Sequence, residues 1–474
     1  MNHDKLNKRL THMFAYENDD FFVNITLSDF ISRKLLDYQF LHIFNLMTSL
    51  RDNKIVLDGS DPGTGKTYTS LALCKQLDLR PFIICPKTIM TTWAYVCKIF
   101  DITPLAIVNY ESIKEGKCYD NDGKRIDCKY IDITELDEKT IEFTWLLPKP
   151  TKCIIIFDEV HKCKNQKSLN GKLLLSTLKQ ESKVLMLSGT LADKPESFHI
   201  FGYMLGFYKN IRRASFWIKG MIREDLATLN TDKNSLSAIN KKLYPDKGSR
   251  MRIVELGSKF PENQVSADCY YIKEKDRLEV NKYFQQFLVG DTELKGADGR
   301  TKEHAQVLAN ITKARQQLEL IKVQIIKDLV DDYTENGYNV AIFVNYTETI
   351  NQLSTILNTK CIVNGQETVE KRKENIDMFQ NNQANVIICN IAITEGLDLH
   401  DLHGVPRVSL ISPSFRSDQL AQTLSRIHRA GAKTPALQRI IFCSGTCEEV
   451  ICNRLKHKLK FMAKLNDNDL IKID

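Results

Sequence analysis

Residues 60–67 read Ser-Asp-Pro-Gly-Thr-Gly-Lys-Thr, and far downstream an apolar run ends in Asp158-Glu159-Val160-His161. The first segment follows Ile55-Val56-Leu57 and precedes the stretch Thr69-Ser-Leu-Ala-Leu-Cys-Lys75. That is the strand–loop–helix setting a phosphate-binding loop requires. Backbone N–H groups of Gly63, Thr64 and Gly65, at the start of a helix, suit phosphate oxygens. Lys66 would then reach the β/γ oxygens and Thr67 would hold Mg²⁺. Cys153-Ile-Ile-Ile-Phe157 is apolar enough for a central parallel strand, so its carboxylates emerge at the strand end. Asp158 can hold the Mg²⁺ shell while Glu159 orients or deprotonates an attacking water. Ser60 stands where such loops usually have their first glycine, with Gly59 just before it. A chance glycine turn is the alternative for the loop alone; with the acidic motif downstream it falls away.

Residues 419–431 read Gln-Leu-Ala-Gln-Thr-Leu-Ser-Arg-Ile-His-Arg-Ala-Gly. Gln422, Arg426 and Arg429 fall at offsets that share one face if the segment is a helix. Two guanidinium groups on one face suit a γ-phosphate, the job of an arginine finger. Alone, the segment reads rather as a surface helix with solvated arginines; beside the upstream motifs the arginine-finger reading prevails.

Positioning these groups takes strands alternating with helices. Short apolar runs at 54–58, 82–85, 105–108, 153–157 and 184–187 repeat in rhythm at 340–344, 360–363, 386–389, 408–411 and 439–443. The fold class is therefore α/β, with two parallel-sheet lobes. Residues 1–32 read as an N-terminal segment, 33–225 as the first lobe, 226–320 as a helical and polar connecting region, and 321–474 as the second lobe. Asn230–Arg252 reads as an exposed connection and 303–331 as a long helix entering the second lobe. Residues 116–140, with Asn121-Asp122-Gly123, read as a polar excursion from the first lobe.

The chain has 474 residues, 43% hydrophobic and 26% charged, the proportions of an ordinary folded protein. No apolar run reaches the roughly 18 residues of a membrane span, and the N-terminus lacks the pattern of a secretory signal. Thirteen dispersed cysteines read as reduced thiols in a cytoplasmic or nuclear setting. Cys443, Cys447 and Cys452 lie close together, but no His/Cys partner pair with zinc-ligand spacing accompanies them, so they read as core cysteines. The net charge of +7 favours polyanions only weakly.

In order and wording these motifs resemble superfamily 2 helicases, in particular their Swi/Snf-like branch. Leu36-Asp37-Tyr38-Gln39 resembles the Q-motif, which implies that Gln39 reads adenine. Cys85-Pro86-Lys87-Thr88 with Trp93 resembles motif Ia, and Val108-Asn109-Tyr110-Glu111 motif Ib. Both imply nucleic-acid backbone contacts, at Pro86, Lys87, Thr88, Trp93 and Tyr110. Asp158–Asn165 is similar to the family's Asp-Glu-Ala-His segment, and Leu187-Ser188-Gly189-Thr190 to motif III. Arg252 before Phe260-Pro261 falls where the branch has an arginine-rich segment. Ile342-Phe-Val-Asn345-Tyr346 resembles motif IV and Thr394-Glu-Gly-Leu-Asp398 motif V. These imply strand contacts at Asn345 and Thr394 and a ribose contact at Asp398. Asn364-Gly365, Arg372 and Phe379 resemble the block between them. Gly445-Thr-Cys-Glu-Glu-Val-Ile451 is similar to the segment after motif VI. Departures are Leu191 in place of the usual proline and a motif V closer to the RNA-helicase form.

The resemblance covers about residues 33–460 and implies two tandem RecA-like lobes. It implies ATP and Mg²⁺ as cofactors, and hydrolysis coupled to movement along nucleic acid, DNA before RNA. Transcription or replication proteins would be further partners, with no membrane. Compact helicases of this kind resemble those of large DNA viruses and phages. An RNA helicase, a nucleotide-gated scaffold with weak hydrolysis, and a phosphate-loop ATPase indifferent to nucleic acid are the alternatives. Nucleic-acid stimulation of ATP turnover separates them.

Overall fold

The computed structural model describes residues 27–452, except 121, 138, 139, 149–151, 190, 193, 194, 230–236, 257–259, 283–301, 394–396, 415, 416, 450 and 451. The chain divides at Gly257/Ser258 into two compact units.

In the first unit, β1 (Ile55–Asp58), β2 (Arg80–Cys85), β3 (Ala106–Asn109), β8 (Cys153–Asp158), β9 (Lys183–Leu187) and β10 (Gly248–Ser249) form one parallel sheet. Its order is β10-β1-β9-β8-β2-β3. Because strand side chains alternate, the same strands feed two cores. Val56, Ile83, Ile154, Ile156 and Leu185 pack on one face. Leu57, Phe82, Ile84, Ile155, Phe157 and Met186 pack on the other. All described ladders of this sheet are parallel. Every strand therefore delivers its carboxyl end to the same edge.

Residues 116–140 are tied down more firmly than a polar excursion would be. They form the hairpin β4 (Lys117–Tyr119)–β5 (Arg125–Asp127) and begin a second, β6 (Ile131–Asp137)–β7 (Thr140–Trp145). Cys118, Cys128, Ile131, Phe143 and Trp145 are buried in the first unit's core. The Trp145 indole N–H donates to Ser176 Oγ at 2.8 Å.

The second unit repeats the plan. β11 (Asn263–Tyr270), β12 (Asn339–Val344), β13 (Ile362–Val363), β14 (Val386–Asn390), β15 (Arg407–Ile411) and β16 (Ala436–Cys443) form a parallel sheet. The order is β11-β16-β15-β12-β14-β13. Val323, Ile326, Val330 and Tyr333 present one buried stripe of the helix Val323–Glu335 to Val340, Ile342 and Leu410.

The span read as a connecting region, 226–320, is divided between the units. The helix Ser237–Leu243 and β10 belong to the first unit, β11 and the helix Lys302–Ile321 to the second. Asn230–Arg252 is not an exposed connection in its described part. Ile239, Asn240, Leu243, Ser249, Arg250 and Met251 are buried there. Gly248 pairs with Leu57, and a β-carbon on it would sit 1.9 Å from the Leu57 carbonyl oxygen. The long helix of 303–331 is interrupted at the fully buried Lys322. Among the described residues no helix is long and apolar enough to cross a membrane.

Candidate functional site

The phosphate loop leaves the end of β1 and enters the helix Lys66–Gln76 through Gly65, whose φ of 92° only glycine adopts readily. A β-carbon there would also meet Gln39 Nε2 at 2.4 Å. Gln39 is itself buried. Its Nε2 donates to the Thr64 carbonyl at 3.0 Å, and its Oε1 accepts from Leu36 N–H at 2.9 Å. The Tyr38 hydroxyl donates to the same Thr64 carbonyl at 3.2 Å. Gln39 is thus seated against the loop. Lys66 Nζ donates to Ser60 and Asp61 carbonyls at 2.8 and 3.2 Å, and Thr67 is half-buried in the first helical turn.

Two buried carboxylates brace the loop, Asp58 at its entry and Asp61 within it. Asp58 accepts from Ser60 N–H at 3.0 Å and faces His42 Nε2 at 3.0 Å. Burial would raise its carboxyl, but His42, Lys66 and Ser60 together bring it below the ordinary value. Asp61 pairs with Arg250 at 2.7 Å and accepts from Ile253 N–H at 3.0 Å. Met251 N–H donates to Ser60 Oγ at 3.0 Å. A strap of residues 248–253 therefore holds the first half of the loop, and Ser60 supplies an acceptor that glycine lacks. The Ser-Arg-Met-Arg run from Ser249 to Arg252 was the only sequence signal for it.

Register puts Asp158 level with Asp58, on either side of Leu187 in β9. Burial first, then the neighbouring Glu159 carboxylate, pushes Asp158 up to about 7. Glu159 itself has φ 52°, a conformation rare for residues other than glycine. Its carboxylate lies 3.3 Å from His161 Nδ1, and that nitrogen lies 3.2 Å from Ser188 Oγ. The acidic motif is thereby joined to the segment resembling motif III, of which Thr190 lies outside the described residues. A buried aspartate and a partly exposed glutamate beside a lysine and a helix N-terminus fit a dication carrying phosphates.

Lys87 and Thr88 are exposed on the 3-10 turn Lys87–Ile89 at the end of β2, whereas Pro86 is buried. Trp93 and Tyr110 are corrections to the expected strand contacts. Both are buried, and both turn inward to Asp158. The Trp93 indole N–H donates to Asp158 Oδ2 at 2.8 Å and the Tyr110 hydroxyl to the Asp158 carbonyl at 2.7 Å. A buried amphipathic aromatic satisfies its polar atom inside when an acceptor waits there, here the side chain and the backbone carbonyl of Asp158.

In the second unit the expected helix face is also corrected. The helix Ser417–Leu424 carries Gln422 but stops before Arg426 and Arg429. The arginines nonetheless converge, since Arg426 Nη1 and Arg429 Nη2 donate to the Leu397 carbonyl at 3.3 and 3.0 Å. Arg429 also pairs with the half-exposed Asp398 at 2.8 Å. Gln422 and Arg426 are buried. Asn345 is engaged rather than free for a strand. Its N–H and Nδ2 donate to the buried Glu319 at 2.7 and 3.1 Å, and Nδ2 also to the Pro413 carbonyl at 3.2 Å. Thr394 lies outside the described residues.

Parallel α/β units, one with a phosphate loop beside a strand-end acidic pair, define an ATP-hydrolysing enzyme of helicase type. Two family models and the curated relatives agree with that class. A model described as the res subunit of type III restriction enzymes matches residues 32–193, and one described as the helicase conserved C-terminal domain matches 321–431. A curated protein named "Putative ATP-dependent RNA helicase", from Acanthamoeba polyphaga mimivirus, is 35% identical over 472 residues, covering 95% of this chain and 87% of its own. The SWI/SNF-related matrix-associated actin-dependent regulator of chromatin subfamily A-like protein 1 of Drosophila melanogaster is 23% identical over 422 residues. That match covers 85% of this chain and 52% of the fly protein. The solved structure of S. cerevisiae Dbp5 bound to RNA and ADP BeF3 is 14% identical, covers 96% of this chain and 95% of its own, and has a TM-score of 0.48. The chain belongs to the superfamily 2 helicases.

Proposed function

We propose that this helicase-type ATPase moves along the backbone of DNA, with turnover stimulated by the strand it grips. The observation that carries the reading is the shared edge of the first sheet. Lys66 and the acidic pair sit at the ends of β1 and β8, and the exposed Lys87 and Thr88 follow β2, next to β8 in the sheet. A grip beside the hydrolytic carboxylates is what coupling needs.

Lys66 binds the β/γ-phosphates, Gly63, Thr64 and Gly65 cradle them, and Gln39 reads the adenine edge from its seat on the loop. Thr67 and Asp158 hold Mg²⁺, which when bound neutralises charge on the transferring phosphoryl group. Glu159 orients the water. Arg426 and Arg429 stabilise the γ-phosphate charge, assisted by Gln422, while Asp398 reaches the ribose. Asn345 and Thr394 serve the strand-binding side of the second unit, Asn345 by fixing its loops. Mostly backbone contacts imply weak sequence preference and steep salt dependence.

DNA is favoured over RNA by the Swi/Snf-like wording of Gly445–Ile451. RNA is the second reading, supported by the motif V wording and by the name of the mimivirus relative. ATP turnover measured with single-stranded, duplex and forked DNA and with RNA decides between them. Equal rates with and without any nucleic acid would sink both. Lys66→Ala and Glu159→Gln are each expected to cut turnover by about a thousandfold or more. An active Glu159→Gln enzyme would overturn the role given to that carboxylate.

A further inference from the structure

The two segments that resemble strand-gripping motifs each place an aromatic side chain on the same acidic residue. Trp93 lies one turn into the helix Met90–Ile99, which starts directly after the exposed Lys87–Ile89 turn. Its ring is fully buried and its N–H ends on Asp158 Oδ2 at 2.8 Å. Tyr110 begins the short helix Tyr110–Ile113 after β3, and its hydroxyl ends on the Asp158 carbonyl at 2.7 Å. The remaining carboxylate oxygen accepts from Glu159 N–H at 2.9 Å. The orientation of Asp158 is thus set from one side by its own backbone and from the other by the segment that carries Lys87 and Thr88.

We propose that Trp93 is a positioning residue that transmits occupancy of the Lys87–Thr88 turn to Asp158, with Tyr110 bracing the same residue from its carbonyl. This rests on the strand-binding role proposed for Lys87 and Thr88. A rigid indole joined to a short helix passes on a small shift of that turn without a flexible link. A hydrogen bond to a buried carboxylate is strong enough for that shift to matter to the carboxylate's geometry. Nucleic acid bound at the turn would therefore set Asp158 in the geometry that holds the phosphate-bound cation. In its absence the same hydrogen bond holds the carboxylate in the resting geometry.

The chain has three tryptophans, so full-length protein labelled with 5-fluorotryptophan gives three ¹⁹F resonances, and Trp93→Phe identifies that of Trp93. A saturating oligonucleotide, without nucleotide, is expected to move the Trp93 resonance, and Lys87→Ala to abolish the movement. Magnesium with ADP is expected to move the same resonance in both proteins. In turnover assays Trp93→Phe is expected to lower the ratio of stimulated to unstimulated rate about tenfold and to raise the Mg²⁺ concentration for half-maximal rate by a similar factor. Should Trp93→Phe fail to fold, Trp145→Phe and Trp217→Phe assign the Trp93 resonance by elimination, and the stimulation ratio of Tyr110→Phe carries the rate test. A Trp93 resonance indifferent to oligonucleotide, or a Trp93→Phe enzyme with full stimulation, overturns the inference and leaves the proposed function standing. A natural enzyme that nucleic acid does not stimulate overturns both.

Discussion

Ser60 was legible in the sequence as a departure from the usual phosphate loop, but its use was not. Its hydroxyl and the Asp61 carboxylate bind a strap that lies 191 and 189 residues away along the chain. No local pattern reports a pairing of that separation. Removing Arg250 would leave Asp61 buried without its counter-charge, which typically costs about 3–5 kcal/mol. Arg250→Met is therefore expected to lower the melting temperature and to raise the KM for ATP severalfold, with a smaller change in kcat, because the loop loses its brace while Lys66 remains. Steady-state kinetics with a thermal melt check this. An unchanged KM in a destabilised protein would make the pair purely structural. Trp93 and Tyr110 show a similar limit, since motif resemblance located the residues but not the direction in which their side chains point.

Elements were most legible where apolar runs were long and buried on both faces. All ten strands read from apolar runs are present; the central ones are apolar because a parallel strand covered on both faces must be, while β3 and β13 are partly exposed edge strands. β10 and β11 escaped for the opposite reason. Gly248-Ser249 has no large apolar residue, and Asn263–Tyr270 is a half-exposed edge strand in which polar and apolar residues are mixed. Helical periodicity extended the 417–424 helix through Arg429, whereas the arginines lie beyond its end and converge through the Leu397 carbonyl instead. Lys322 stands at the break between the helices Lys302–Ile321 and Val323–Glu335. Its ammonium reaches Glu448 at 2.5 Å, Ser412 Oγ at 2.8 Å and the Ile441 carbonyl at 3.2 Å, tying the helix junction to the Gly445–Ile451 segment. Lys322→Met alone strands the buried Glu448. Lys322→Met combined with Glu448→Leu should cost clearly less than Lys322→Met alone, by about 1–3 kcal/mol in denaturant titrations. Additive losses would show that the two charges do not act as a pair.

At the scale of the whole molecule, the net charge of +7 adds a weak general attraction to polyanions, and the buried titratable groups set how stability responds to pH. In the second unit the buried imidazole of His400 is displaced to the acid side of the physiological range. Burial first, then the Arg429 guanidinium, lowers it from 6.5 to about 4, against the opposing pull of Asp398 and Asp401. Below its ordinary value the unfolded chain takes up a proton that the native imidazole refuses. Stability from this group is therefore complete above about pH 6.5 and lost as pH falls toward 4. Partial exposure of the ring discounts the effect to about 2 kcal/mol at most. The neighbourhood matters for function, because the proton would enter beside Arg429 and Asp398, the groups proposed to meet phosphate and ribose. Lowering the pH from 7 to 5 is thus expected to lower the melting temperature of the second unit's transition. His400→Gln, which cannot take up the proton in either state, is expected to flatten that dependence without changing its direction for the remaining groups. Calorimetric scans of both proteins across pH 4–8 provide the check, and identical slopes would remove His400 from the account.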